Sequence, residues 1–252
     1  MDMEPTQDLR DRWSLHGRAA LVTGASSGIG ARFAEVLAGS GWAGVGPAPL
    51  AAAHPGITPI TADLSIAADR ERLVRDAEEA VGPLDILVNN AGLVRPGRVE
   101  DESLDDLDAT LGVDLVAPWH LTKLVGAGMV ARGRGAIVNV ASIWGVVAAA
   151  PVRASAYAAA KGGLVNLTRE LAVQWGRHGV RVNAICPGWI ATELNEARHD
   201  DPRTRQVLEQ LSPIPRFGRP EELDGALLLL ASDAGSFITG AVLMVDGGWT
   251  AR

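Results

Sequence analysis

Short apolar runs alternate with amphipathic helical patterns along this chain, and that alternation constrains its fold more than any other feature. Apolar stretches at 19–22, 57–61 and 84–88 are each followed by a helical periodicity, at 29–38, 69–80 and 103–132. The order continues through Ala136-Ile137-Val138-Asn139-Val140, a helix over 155–177, Val180 to Ile185, a helix from about Glu221 and a last run at Ala241 to Val245. Strands that are apolar throughout are buried on both faces, which requires helices above and below them. The pattern predicts an α/β fold with a doubly wound parallel sheet, its strands joined by right-handed helical crossovers and its two faces covered by helices. At 252 residues and 47% hydrophobic, the chain can bury a substantial core as one domain, expected over 14–252. Residues 1–13, polar and acid-rich, read as a loose N-terminal tail.

In such a sheet, ligands bind beyond the carboxyl ends of the strands. Thr23, Asn90, Ser142 and Pro187 each follow an apolar run, so four separated segments converge on that edge. The first opens Thr23-Gly24-Ala25-Ser26-Ser27-Gly28-Ile29-Gly30, a glycine-rich turn between strand and helix. There, backbone without side chains can approach a pyrophosphate while the helix N-terminus offers free N–H groups and partial positive charge. An ordinary tight turn also uses glycine, so this turn needs support from elsewhere. Tyr157 supplies it: it is the only tyrosine, and four residues later stands Lys161, one of two lysines. Two lysines in 252 positions put one at a given offset about 1% of the time by chance, 2/252. On a helix the spacing places both side chains on one face. A nearby cation lowers a phenol's pKa from about 10 towards the working pH, where it exchanges a proton with an alcohol or ketone oxygen. A half-buried tyrosine beside a snorkelling lysine gives the same spacing without chemistry; the glycine turn favours the chemical reading.

With these motifs the chain resembles the short-chain dehydrogenase/reductase family from about Arg18 to Gly248. The matching pieces are Thr23 to Gly30, Asp63-Leu64, Asn89-Asn90-Ala91-Gly92, Ser142, Tyr157 to Lys161, Arg181-Val182-Asn183, Pro187-Gly188 and Asp246-Gly247-Gly248. The resemblance implies a Rossmann-type fold and an oxidoreductase that moves a hydride between NAD(H) or NADP(H) and a small-molecule secondary alcohol or ketone. It implies that Ser142 binds the substrate oxygen, Tyr157 transfers the proton, and Lys161 supports Tyr157 and holds the nicotinamide ribose. For the cofactor it implies Gly24, Ser26, Ser27, Gly28, Ile29 and Gly30 at the turn, with Asp63 and Leu64 at the adenine. Asn90, Ala91 and Gly92 would then pack along the cofactor, and Pro187, Gly188, Ile190 and Thr192 would meet the nicotinamide end. It further implies a substrate lid over 193–218 and a homotetramer built by helix packing and the strand around Val242 to Asp246. Two alternatives remain open at this point: a 3-oxoacyl thioester reductase, and a catalytically silent nucleotide-binding or scaffold protein.

Two departures bear on those alternatives. Asp114 occupies the position where the family commonly has the asparagine of its catalytic tetrad, whose role rests largely on a main-chain carbonyl, and as an acid it is expected to add charge near Lys161. The residue that sorts NAD from NADP is expected about 20 residues past the glycines, yet Val36 through Ala62 contains no Asp, Glu, Lys or Arg. Gly44 to Leu50 offers neither an acid for a ribose 2′-hydroxyl nor a base for a 2′-phosphate, and the segment is short by roughly ten residues. The preference between NAD(H) and NADP(H) is therefore not legible in this segment.

A net charge of −7 without a basic cluster excludes nucleic acid and anionic membrane surfaces as expected partners. No apolar run reaches the roughly 18 residues of a membrane helix, and Met1 to Trp13 lacks the pattern of a signal peptide. A single cysteine, Cys186, forms no intramolecular disulfide and suits a reducing cytoplasm; it reads as a small buried hydrophobe. No metal site is expected. Trp144, Ala148-Ala149-Ala150 and Trp189 lie near the catalytic motifs, where aromatic walls favour an apolar or ring-shaped substrate over a highly charged one.

Overall fold

The computed structural model describes residues 5–39, 43–46, 54 and 56–251. Seven parallel strands form one sheet: β1 (Ala19–Val22), β2 (Ala43–Gly46), β3 (Ile57–Pro59), β4 (Ile86–Asn89), β5 (Gly135–Val140), β6 (Val180–Pro187) and β7 (Val242–Val245). Their order across the sheet is β3-β2-β1-β4-β5-β6-β7, so the direction of winding reverses between β1 and β4. Successive side chains on a strand point to opposite faces, and the core divides accordingly. Ala20, Val22, Ile86, Val88, Val138 and Val140 pack with Phe33 and Leu37 of α2 (Gly28–Gly39) and with Leu227 and Leu230 of the helix Asp224–Ala231. Leu21, Leu87, Ile137 and Val182 face the other way, against Leu73 and Ala77 of α3 (Ala67–Val81) and Leu121, Val125 and Met129 of the helix Ala117–Arg132. That two-sided burial is why the strands read as continuous apolar runs.

Two expectations are corrected. Residues 5–13 are not a loose tail: Pro5–Trp13 form helix α1, which packs against the turn Asp233–Gly235. Leu9 and Trp13 stay exposed, as do the residues between them, so the described side chains of this helix form no buried stripe to mark it in sequence. Helix formers and two arginines in its last turn favour it locally. The pattern over 103–132 is not one α-helix either. It divides into α4 (Leu104–Leu111), a π-turn at Gly112–Val116 and α5 (Ala117–Arg132). Ser103 caps α4 by accepting a hydrogen bond from the Asp106 N–H. At the π-turn the Ala117 N–H reaches back five residues to the Gly112 carbonyl. Pro118 has no N–H to give the carbonyl four residues before it, which favours the wider turn. The turn rotates Asp114 fully into the interior.

Among the described residues the remaining α-helices are α6 (Ser155–Trp175), α7 (Pro202–Leu211) and α8 (Asp224–Ala231). β2 and β3 are parallel neighbours; residues 47–53 between them, including Ala48 and its flanking prolines, lie outside the described residues.

Candidate active site

A cavity of about 930 Å³ opens over the carboxyl ends of β1, β4, β5 and β6. Of the site residues expected from sequence, all but Gly30 and Asp114 line it. Those two stand directly behind its wall and hold it in shape.

At one end, the glycine turn joins β1 to α2. Thr23 fixes this junction: its hydroxyl accepts hydrogen bonds from the N–H groups of Asn90 (3.0 Å) and Ala91 (3.1 Å). Asn90 returns its side-chain amide to the carbonyls of Thr23 (3.0 Å) and Gly24 (3.2 Å). Gly24 has φ +63°, and a Cβ there would lie 2.7 Å from the Ala91 Cα. A Cβ on Gly30 would overlap both the Asn90 amide and the Gly24 carbonyl. Glycine is thus required where the turn meets β4, and the N-terminus of α2, with Ser26, Ser27, Gly28 and Ile29, is left facing the cavity. Such a bare, N–H-rich cradle fits the phosphates of a dinucleotide. Further along, the Asp63 carboxylate accepts hydrogen bonds from the Ser65 hydroxyl (2.7 Å) and N–H (2.9 Å), which hold it below the usual carboxylate range. Asp63 does not cap α3; Ile66 stands at that N-cap.

At the other end lie the groups able to move a proton. Ser142 follows β5 and opens a tight turn, Ile143–Gly145, with its hydroxyl accepting from the Trp144 N–H at 3.2 Å. Gly145 lets this turn lie flat on α6, since a Cβ there would sit 2.6 Å from the Lys161 carbonyl. Tyr157 and Lys161 are one helical turn apart on α6, with the ammonium 5.4 Å from the phenol ring centre. Lys161 is 3% exposed; it donates to the Val140 carbonyl at 3.1 Å and meets Asp114 Oδ2 at 3.3 Å. The other Asp114 oxygen accepts the Leu93 N–H at 2.8 Å. Gly92 passes against this pair, and a Cβ on it would meet Asp114 Oδ2 at 2.9 Å.

The electrostatics correct one expectation. Lys161 does pull the Tyr157 phenol downward, yet the phenol stands above its ordinary value of 10.0. Burial is the largest cause, and the Asp114 carboxylate adds to it, while a hydrogen bond with Ser142 opposes it. A cation one turn away is legible in sequence; the anion that offsets it comes from a distant segment. Burial likewise pushes the Asp114 carboxyl up against the pull of Lys161 and the Leu93 N–H. The Cys186 thiol, buried at the end of β6, is pushed up to about 11 by desolvation and stays neutral.

The third wall comes from Pro187 to Thr192. Gly188 approaches the Asp246 main chain, and a Cβ on Gly28 would lie 3.2 Å from the Thr192 side chain, so this segment closes over the glycine turn. Asn195 braces it by accepting the Thr192 N–H (3.1 Å) and donating to the Ile190 carbonyl (2.7 Å). Trp144 sits edge-on to Tyr157 at 6.0 Å and to Trp189 at 5.8 Å, and Trp189 continues to Phe217 and Trp249. With Ile143, Val152 and Leu208 these rings form a separate apolar cluster joining α7 to the catalytic turn. Sequence reasoning missed the brace Asn195 and the main-chain contributions of Leu93 and Val140, for which no local pattern exists. A strand-terminal threonine facing a glycine turn was the available sign of Thr23. Arg153 is exposed and does not line the cavity, whereas Arg198 does.

The family model described as "Enoyl-(Acyl carrier protein) reductase" matches residues 24–250. The chain is 41% identical to a cis-4-hydroxycyclohexanecarboxylate dehydrogenase of Sinomonas cyclohexanicum, over 93% of this chain and 97% of that protein. It is 38% identical to an L-tagatose-forming galactitol 2-dehydrogenase of Cereibacter sphaeroides, over 96% and 99%. Among solved structures, it is similar to a gluconate 5-dehydrogenase from Burkholderia cenocepacia in complex with NADP and tartrate. That match has a TM-score of 0.91 and 35% identity, covering 97% of this chain and 99% of the other.

Proposed function

The chain belongs to the short-chain dehydrogenase/reductase family, and on that premise we propose that Ser142, Tyr157 and Lys161 carry its chemistry on a compact hydroxy acid or the matching keto acid. It is an NAD(P)-dependent oxidoreductase that moves a hydride between a nicotinamide nucleotide and a secondary alcohol or ketone. The observation that carries the residue assignment is convergence: a hydroxyl, a phenol and an ammonium face one cavity whose far end is the glycine cradle. A silent scaffold has no need of a buried lysine held beside a phenol.

The cofactor, when bound, supplies or accepts the hydride. Gly24, Ser26, Ser27, Gly28 and Ile29 hold its phosphates, Asp63 and Leu64 its adenine, Asn90, Ala91 and Gly92 its length, and Pro187, Gly188, Ile190 and Thr192 its nicotinamide end. Lys161 holds the ribose, which fixes the reacting carbons against each other. Ser142 binds the substrate oxygen, and Tyr157 gives that oxygen a proton in reduction or removes one in oxidation. Asp114 acts behind them, through Lys161.

Two features support the substrate class. Trp144 and Trp189 give the cavity an aromatic wall suited to a ring or a compact carbon skeleton. Arg198 lines the same cavity half-buried, and no carboxylate of the described residues pairs with it, so it suits a substrate carboxylate. Titration with NADH and NADPH, then rates on a panel of hydroxy acids, neutral polyols and 3-oxoacyl thioesters, tests the reading. Preference for neutral polyols or thioesters, or a KM for hydroxy acids unmoved in Arg198→Ala, overturns it.

Residues 193–218 act as the substrate lid, α7 resting on the aromatic cluster through Leu208. The protein works as a homotetramer, supported by the half-exposed edge strand β7 and by Trp119 and Val173, exposed on α5 and α6. Light scattering tests this. Among the described residues no helix is long and apolar enough to cross a membrane; the unpaired Cys186 suits the cytoplasm.

A further inference from the structure

Asp114 is an acid where the family commonly carries an amide, and the fold leaves it little freedom. One oxygen is fixed by the Leu93 N–H, and the other has no hydrogen-bond partner, so its compensation is the Lys161 ammonium at 3.3 Å. Lys161 is in turn held by the Val140 carbonyl. Asp114 is 0% exposed and Lys161 3%, so water screens the pair little and it attracts more strongly than it would in solvent. Gly92, on the cavity wall, leaves no room for a side chain between the pair and the cavity.

Resting on the roles proposed for Tyr157 and Lys161, we infer that Asp114 is a positioning residue: it holds the Lys161 ammonium as half of a buried ion pair 3.3 Å across and so weakens the field that the ammonium exerts on the Tyr157 phenol. A neutral pair has a weaker field at the phenol than a lone ammonium. The charged or titratable groups acting most strongly on Tyr157 are Lys161 from its own helix, Asp114 from the π-turn and Cys186 from β6, and the cysteine stays neutral. The acids nearest in chain on α4 and before it, Asp105, Asp106, Asp108 and Glu102, are peripheral; Asp106 pairs with Arg95, and Glu102 accepts the Ser155 hydroxyl. The consequence is directional. Reduction needs the protonated phenol and keeps its rate through neutral pH. Oxidation needs the phenolate, whose fraction falls tenfold for each pH unit below the midpoint.

Tyr157 is the only tyrosine, so the near-ultraviolet absorbance of phenolate reports this residue alone and requires no turnover. The midpoint in the wild-type protein is the reference against which the variants are read. In Asp114→Asn the midpoint is expected at lower pH, and the acidic limb of kcat/KM for alcohol oxidation moves by the same amount, tenfold in rate per unit. A midpoint unchanged or raised in that variant overturns the inference, and Asp114→Ser, which also removes the charge and is expected to shift the midpoint the same way, decides if the amide variant does not fold. Loss of turnover in Tyr157→Phe belongs to the catalytic assignment and is read separately.

Discussion

The two ends of the cavity are built from different materials. At the catalytic end, side chains do the positioning: Lys161 is clamped between the Val140 carbonyl and Asp114, and Ser142 and Tyr157 are set by a turn and a helix packed through Gly145. At the cradle end, positioning falls to backbone, with glycines admitting close approach and Thr23 and Asn90 tying β1 to β4. The difference follows from what each end must do. Proton transfer needs a particular group at a particular charge, whereas a phosphate chain needs only converging N–H groups and space. Changes at the catalytic end should therefore stop chemistry, and changes at the nucleotide end should grade affinity.

Tyr157→Phe removes only the exchanging hydroxyl. Turnover should fall about 10²–10⁴-fold while nucleotide affinity and melting temperature stay near wild type; wild-type rates would break the comparison at its strongest point. Lys161→Ala leaves Asp114 buried without its cation, so urea unfolding should show a loss of about 3–5 kcal/mol, accompanied by weaker NADH binding. Unaltered nucleotide affinity would remove the ribose contact. Gly30→Ala forces a methyl group into the Asn90 amide and the Gly24 carbonyl, and should cost about 1–3 kcal/mol while weakening nucleotide binding more than it slows the bound enzyme. A slower kcat with affinity unchanged would mean that this end also governs chemistry.

A smaller effect is expected at the lid's base, where Glu222 accepts two hydrogen bonds from Arg216 and one from the Arg219 N–H, each at 2.8 Å. These hold its carboxyl near 2, against an ordinary 4.5. A carboxyl depressed by the fold favours the native state while ionised, so this contribution is full above pH 4.5 and is lost as pH falls through about 2. Glu222→Gln should be slightly less stable than wild type at neutral pH, and the two should converge towards pH 2; a constant difference across that window would assign the effect to packing. Smallest of all is nucleotide choice. The charge-free stretch from Val36 to Ala62 should leave NADH and NADPH within about 1.4 kcal/mol, or tenfold. Ala48→Arg should then favour NADPH and Ala48→Asp NADH, with Pro47 and Pro49 tested beside it, by equilibrium titration. A strong wild-type preference would mean that a selective group reaches the ribose from elsewhere.

The sequence by itself determined six of the seven strands, the helical layers over them and the convergence of Thr23, Asn90, Ser142 and Pro187 on one edge, because burial on both faces and the 3.6-residue period are local properties of a chain. β2, Ala43-Gly44-Val45-Gly46, carries no apolar run and is marked as a strand only by its pairing with β1 and β3. It also determined the Tyr157–Lys161 pairing, which one helical turn guarantees. Tertiary structure decided what that pairing is worth. Asp114 lies 47 positions before Lys161, and a π-turn that the helical periodicity of 103–132 does not reveal carries it to the ammonium. The anchoring carbonyl of Val140 and N–H of Leu93 are main-chain groups that every residue possesses. Charge compensation in a dry interior depends on which distant groups meet there and how far water is excluded, and neither is a property of any short stretch of sequence.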